Sequence, residues 1–304
     1  MKRFSYFGAL AIGLFAAALA FQSCQKDALQ VANPNVPNTQ ADDRAPLIYG
    51  VSVFSAGTPS ELYTLDGGTG AILNNVLVFV TDPSGAPFFL NDLKGVCIVH
   101  DQVWVTTGFN AVDAYSNLLL KVDPATGQGG IISRSDQTVS DIDYDENTNA
   151  IFGLANNTNR LMKITDVGNN WGTYTPVGNI LNMGGYTAKG LTMVRDAAGD
   201  RIVIAATIAA GGNARVLSVP AGAGPAVFLS TIIPAADLAA GHCGIGFDID
   251  LGTPGGDGGV LINRNAIGMG LNIFDWANPL AAVTPSAFWG GKDVNFEDLS
   301  SDIQ

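Results

Sequence analysis

The sequence is short of histidine and cysteine, the residues from which many catalytic and metal centres are built. Two histidines and three cysteines stand in 304 residues. That is too few for a His-rich zinc or iron centre, and a Ser-His-Asp triad could draw on only one histidine at a time. No CxxC, HExxH, GxSxG or P-loop segment occurs. Charge is scarce as well, at 14% of residues, and its basic share is the smaller: Lys plus Arg number 15 against 27 Asp plus Glu, a net charge of −12. Such a chain repels a polyanion, which excludes nucleic acid as a natural partner. No apolar run reaches the ~20 residues that cross a bilayer as a helix.

Apolar and turn-forming residues are what the sequence has in abundance. Hydrophobic residues make up 47%, with 37 Gly and 14 Pro spread along the chain. A core can therefore be buried, and it is interrupted by turns throughout. The length admits one large all-β domain or two small ones.

The amino terminus has a separate character. Lys2 and Arg3 precede an uncharged apolar run from Phe7 to Phe21, followed by Gln22, Ser23 and Cys24. This is the outline of a signal peptide over residues 1–23. Ser23-Cys24 resembles a bacterial lipobox, although Phe21 and Gln22 depart from its strict form. The resemblance implies that Cys24 becomes a lipidated amino terminus, and Gln25-Lys26-Asp27 is similar to the start of Gram-negative lipoproteins. The address this implies is the cell envelope, on the outer membrane, with more than one acyl chain needed for stable anchoring. Residues 24–46, rich in Asn, Pro, Gln and Asp, form a flexible tether.

A weak repeat organises the remainder. Leu62-Tyr-Thr-Leu-Asp66, Leu119-Leu-Lys-Val-Asp123, Leu161-Met-Lys-Ile-Thr165, Val216-Leu-Ser-Val-Pro220 and Leu271-Asn-Ile-Phe-Asp275 share a short strand ending at a turn. The turn is clearest in Asp66-Gly-Gly-Thr-Gly70 and Asp123-Pro-Ala-Thr-Gly127, where Asp can bond backbone amides and Gly supplies positive φ. Ahead of four of these motifs stand two further strands: Val96–Asp101 and Val103–Thr107, Ser140–Asp145 and Ala150–Ala155, Leu191–Asp196 and Ile202–Thr207, Ile245–Asp250 and Val260–Asn263. A fourth strand follows, as at Ile72–Val80 and Ala226–Ser230. Four strands per unit of roughly 50 residues is the period of a propeller blade.

The first unit, from Leu47-Ile-Tyr-Gly-Val51, lacks the leading strand, and the chain ends on Phe296-Glu-Asp-Leu-Ser-Ser-Asp302, which is similar to one. The expectation is an all-β, five-bladed β-propeller over residues 47–304, its ring closed by the C-terminal strand completing the first blade. A pair of open β-sandwiches is the alternative arrangement of the same strands. The repeat resembles the broad group of secreted bacterial propellers with Leu-Tyr-x-Leu/Val-Asp-x-x-Thr-Gly turns, whose motifs specify blade geometry and no activity.

In this register His100 falls at one end of the ring and His242 at the other. Cys97 and Cys243 lie in the second and fifth blades, so two buried thiols are expected in place of a disulfide. The segment from Gly252 to Gly259 is a hairpin loop without the helix that phosphate binding needs. Asp141, Asp143 and Asp145 alternate on one innermost strand, Asp248 and Asp250 on another, and Glu297 and Asp298 fall in the closing strand. Asp141, Asp143, Asp248 and Asp298 near the axis could hold calcium, or serve as a paired-carboxylate site for glycoside hydrolysis; capping of turns and loose amides is the structural alternative. Phe88, Phe89, Tyr115, Tyr186 and Trp289, with His242, lie on the connections that could carry recognition of a sugar or a peptide edge. The leading expectation is a lipid-anchored envelope protein binding a glycan, peptide or protein without catalysis and without a cofactor. A polysaccharide hydrolase or lyase, and a structural subunit of an envelope complex, are the rivals.

Overall fold

The computed structural model describes residues 47–52, 58–67, 71–110, 112–155, 158–167, 170–196, 199–208, 214–233, 245–248, 259–264, 270–275, 284–285 and 296–301. Apart from one 3-10 turn at Asp113–Tyr115, the secondary structure of these residues is β, in five sheets. The first sheet carries β1 (Leu47–Ser52), β2 (Glu61–Asp66) and β3 (Ile72–Leu77). The chain then passes through β4 (Phe79–Thr81) and β5 (Pro87–Phe89) to the second sheet, β6 (Leu93–Val99), β7 (Gln102–Thr107), β8 (Leu118–Val122) and β9 (Gln128–Arg134). The third sheet holds β10 (Val139–Asp145), β11 (Ala150–Ala155), β12 (Arg160–Val167) and β13 (Asn170–Leu181). The fourth holds β14 (Tyr186–Asp196), β15 (Gly199–Ile208) and β16 (Ala214–Pro220); after β17 (Gly224–Pro225) it is completed by β18 (Val227–Ile233). The fifth holds β19 (Ile245–Asp248), β20 (Gly259–Arg264), β21 (Gly270–Asp275) and β22 (Thr284–Pro285). The last strand, β23 (Phe296–Ser301), returns to the first sheet and pairs antiparallel with β1.

Within each sheet the consecutive strands form an antiparallel meander, and local chemistry sets the turns. His100 and Asp101 both take positive φ, 49° and 59°, in the two-residue turn between β6 and β7, the geometry that suits the strand twist. At the β8–β9 turn Asp123 accepts the Ala125 amide at 2.9 Å and the Thr126 hydroxyl at 2.8 Å. Gly127 supplies a φ of 78° there. Asp145 does the same work after β10, accepting the Asn147 amide at 3.0 Å and the Thr148 hydroxyl at 2.6 Å.

Burial runs from first strand to last. Every residue of β10 and β11 is buried, whereas β3 has five of its six exposed. A strand covered on both faces has no polar face to display, which is why the leading strands lack a clear alternation. The sheets stack face to face in chain order. Tyr49, Val51 and Leu62 of the first pack with Val96, Val105 and Leu120 of the second. Cys97, Trp104 and Leu119 of the second meet Ile142, Ile151 and Ile164 of the third. Phe152, Leu154 and Leu161 of the third meet Leu191, Ile204 and Leu217 of the fourth. The leading strands lie together, β6 against β10 and β23, and β14 against β10 and β19. Stacked four-stranded meanders with first strands inward make this a β-propeller arrangement.

One strand expectation is corrected. The segment Ile72–Val80 is not a single fourth strand, because the chain leaves the first sheet after Leu77 and β4 pairs parallel with β9 of the second. β17 likewise pairs parallel with β13 of the sheet before its own. These connections cover edges that would otherwise expose unpaired backbone groups.

Candidate functional site

The connection from β7 to β8 is braced by a set of side-chain and backbone hydrogen bonds. Asp92, just ahead of β6, accepts the Phe109 amide at 2.7 Å through Oδ2, and its backbone oxygen accepts the Gly108 amide at 2.7 Å. Lys94 sits 3.0 Å from the other oxygen of Asp92. Asn110 is fully buried; its Oδ1 accepts the Asn91 amide at 2.9 Å, its Nδ2 donates to the Tyr115 carbonyl at 3.0 Å, and its backbone amide donates to Ser116 Oγ at 2.8 Å. Thr107 Oγ1 accepts the Leu118 amide at 2.9 Å, closing the loop base.

This frame holds an apolar knob in solvent. Phe109 is 72% exposed and Val112 is 44% exposed. Asp113 and Arg134, paired at 2.8 Å, border it. Phe89, also exposed, lies two residues from Asn91 and tilts against Phe79 with ring centroids 5.7 Å apart. A large aromatic side chain held out on a hydrogen-bonded frame forgoes burial, and the backbone that carries it has little freedom left to lose on binding.

The expected aromatic site is therefore brought together only in part. Phe88 and Tyr115 stack on each other at 4.3 Å, half-buried against the core between the first two sheets, so their faces are occupied. Tyr186 packs against the next core with the Arg215 guanidinium 5.6 Å from its ring centre. His242 and Trp289 lie outside the described residues, as do Cys24 and Cys243. Phe109 was not among the sequence candidates; the signal was Gly108-Phe109-Asn110 directly after the apolar strand Val103–Thr107.

The aspartates go elsewhere. Asp141 and Asp298 are fully buried and Asp143 nearly so, so they face protein and not an open channel. Asp143 accepts the Met193 amide at 2.7 Å and the Thr192 hydroxyl at 2.9 Å, tying β10 to β14, and also its own neighbour's amide, Tyr144, at 2.8 Å. Burial nevertheless pushes its pKa up to about 6. Asp298 accepts the Val96 amide of β6 at 2.7 Å. The backbone of Asp248 lies on β19 opposite Gly259. No group of three or more His, Cys, Asp or Glu side chains among the described residues could hold a metal ion. Asp143 and Asp298 use both of their oxygens to accept amides and a hydroxyl.

His100 is exposed at the opposite end of the sheets, where its Nε2 lies 2.9 Å from the Tyr144 hydroxyl. That hydroxyl donates to Asn149 Oδ1 at 2.8 Å, so the imidazole nitrogen is the donor to it. Cys97 is buried and free, and burial followed by the nearby Asp143 and Asp298 charges pushes its thiol up. A cleft of about 510 Å³ opens at the same end as His100, bounded by Tyr49, Asp101, Lys121 and Pro124.

No protein-family model matches the sequence, and no curated protein does. Among solved structures the chain is similar to TolB from Acinetobacter baumannii, at 14% identity and a TM-score of 0.47 over 86% of this chain and 68% of that one. It is similar to a structural genomics protein of unknown function from Bacteroides thetaiotaomicron, at 12% identity and a TM-score of 0.49 over 86% and 66%. It is also similar to hydrazine synthase of Kuenenia stuttgartiensis, at 12% identity and a TM-score of 0.40 over 80% and 66%. The chain spans about two thirds of the length of each. At these levels the likenesses assign no function.

Proposed function

We propose that the chain is a five-bladed propeller whose ring is closed by β23, carried on the cell envelope through a lipidated Cys24, and that it binds a peptide or protein segment at the β7–β8 loop. Closure is supported by the pairing of β23 with β1 and by its place beside β6 and β19. The anchor rests on the sequence of residues 1–27 alone.

The observation that carries the binding reading is Phe109, exposed near the start of a loop where Asp92 and buried Asn110 hold the backbone on either side of it. An aromatic anchor with an aliphatic neighbour and a bordering ion pair suits a partner that offers an apolar side chain and backbone. Three of the carboxylates that a hydrolase would use, Asp141, Asp143 and Asp298, are buried, and a glycosidase pair must flank an accessible bond, which favours the binding reading over the hydrolase one.

The test is a parallel screen of the full chain and its Phe109→Ser variant on peptide and glycan arrays. Binding of apolar-containing peptides by the wild type, weakened at least ~10-fold in the variant, is the expected result. Binding confined to glycans, or peptide binding unaffected by the substitution, overturns the proposal.

A further inference from the structure

Neither carboxyl oxygen of Asp141 has a hydrogen-bond partner of full geometry, although the residue is 0% exposed. The polar groups that act on it are the carboxyl of Asp298, the Leu191 amide, outside good hydrogen-bond geometry, and last the charge of Asp143. A buried carboxylate without donors is disfavoured, and one facing a second carboxylate more so. Asp298 is differently placed. Its Oδ2 accepts the Val96 amide at 2.7 Å and its Oδ1 the Leu299 amide at 2.8 Å, so it has donors enough to stay ionised. The proton that reconciles the two therefore belongs on Asp141, which then donates to Asp298.

The surroundings offer no other neutralisation. Asp143 shares the strand with Asp141, Cys97 faces them from β6, and β14 presents the Thr192 hydroxyl and backbone amides; no cation acts on the pair among the described residues. Burial, first, holds both carboxyls above the usual range, and for Asp141 the Asp298 charge comes next. The two residues sit on different strands, β10 and the C-terminal β23, which lie on either side of β6 and approach each other there.

We infer that Asp141 and Asp298 form a proton-operated clasp on β23. With one proton bound from solvent, an O–H···O bond joins β23 to β10. With that proton released to solvent, two buried carboxylates repel and β23 loosens from its seat on β1 and β6. That loosening opens the ring is the one consequence that rests on the closure proposed above; peptide capture at Phe109 is a separate matter with its own test.

The experiment is hydrogen exchange by mass spectrometry on the full chain from about pH 5 to about pH 9, corrected for intrinsic rates, for the wild type and Asp141→Asn. An asparagine keeps a donor towards Asp298 and carries no charge. For one linked proton, protection of β23 in the wild type should fall about tenfold per pH unit through the titration. In Asp141→Asn the fall above about pH 7, beyond the Asp143 titration, should disappear. Wild-type protection that does not change with pH overturns the clasp, and so does an Asp141→Asn chain with an undiminished pH dependence. Should that variant not fold, infrared spectra of the wild type decide: a carboxylic-acid carbonyl band lost on alkaline titration in step with β23 protection supports the clasp, and its absence overturns it.

Discussion

The carboxylate of Asp298 accepts the backbone amide of Val96 at 2.7 Å, across 202 positions of sequence. This bond fastens the C-terminal strand to the leading strand of the second sheet while the same strand pairs with β1 of the first. Two sheets that the meander connects only through β4 and β5 are thereby joined by a side chain. An amide bonded to a charged acceptor gains more than a neutral pair does, and losing the acceptor strands a buried N–H.

The seat of β23 on β1 is tight, and substitutions there should be costly. A Cβ added at Gly50 would meet the Phe296 ring at 2.5 Å, with Leu299 at 3.0 Å behind it. Gly50→Val should destabilise the chain by ~1–3 kcal/mol through overpacking. Phe296→Ala, which empties a side chain only 2% exposed, should cost ~3–5 kcal/mol. Denaturant titration of both variants checks the ordering.

The β7–β8 loop separates presentation from recognition. Phe109→Ser removes an exposed ring and should change stability by no more than ~0.5 kcal/mol. Asn110→Ala removes a buried amide that serves two backbone groups, and should cost ~1–3 kcal/mol while releasing the loop. Thermal melts together with hydrogen exchange over residues 108–117 distinguish the two: the first should leave protection intact and the second should erase it.

Acidity should stabilise this protein over a window where many proteins begin to weaken. Asp143 is raised from 3.8 to about 6 on folding, so between those values the folded state binds more protons than the unfolded one. Its contribution is present below about pH 4 and is lost as pH rises to about 6, amounting to the order of 3 kcal/mol. Asp82 and Asp123 are shifted the other way, chiefly by the Ser84 hydroxyl and the Ala125 amide respectively. Their contributions are lost as pH falls below the ordinary carboxylate range, so stability should peak on the acid side of neutral. Melting curves across that range test the sign; a midpoint that climbs steadily from about pH 4 to about pH 7 would contradict it.

Cys97 should be unreactive in the folded chain. It is completely buried and its thiol is held in the protonated form by burial and neighbouring carboxylates, so the nucleophilic thiolate is suppressed. Peptide mapping after alkylation near neutral pH should find Cys97 unmodified in the native protein and fully modified in denaturant. Rapid native labelling would show that the second and third sheets separate readily.

The strand pattern was legible because it is written in local chemistry. Asp123 and Gly127 mark their turn through bonds and a φ that few other residues supply, and the third-strand motifs fall on β2, β8, β12, β16 and β21. The similarity of Phe296–Asp302 to a leading strand also pointed to its pairing with β1, since leading strands share a composition set by burial on both faces. The crossing of β4 to β9 was hidden, because parallel pairing with a neighbouring sheet leaves no trace in the periodicity of Phe79–Thr81.

Which polar residues meet one another was a matter for tertiary structure alone. Alternation placed Asp141 and Asp143 on one face of a strand. It could not tell that one would be furnished with three donors from β14 and its own strand while the other would be left facing Asp298. The same holds for the aromatics: Phe88, Tyr115 and Phe109 are equally apolar in sequence, and only packing decided that the first two cover each other and the third stands in solvent. Local propensity sets where a strand begins and turns; which side chains lose water depends on groups that come together from distant parts of the chain.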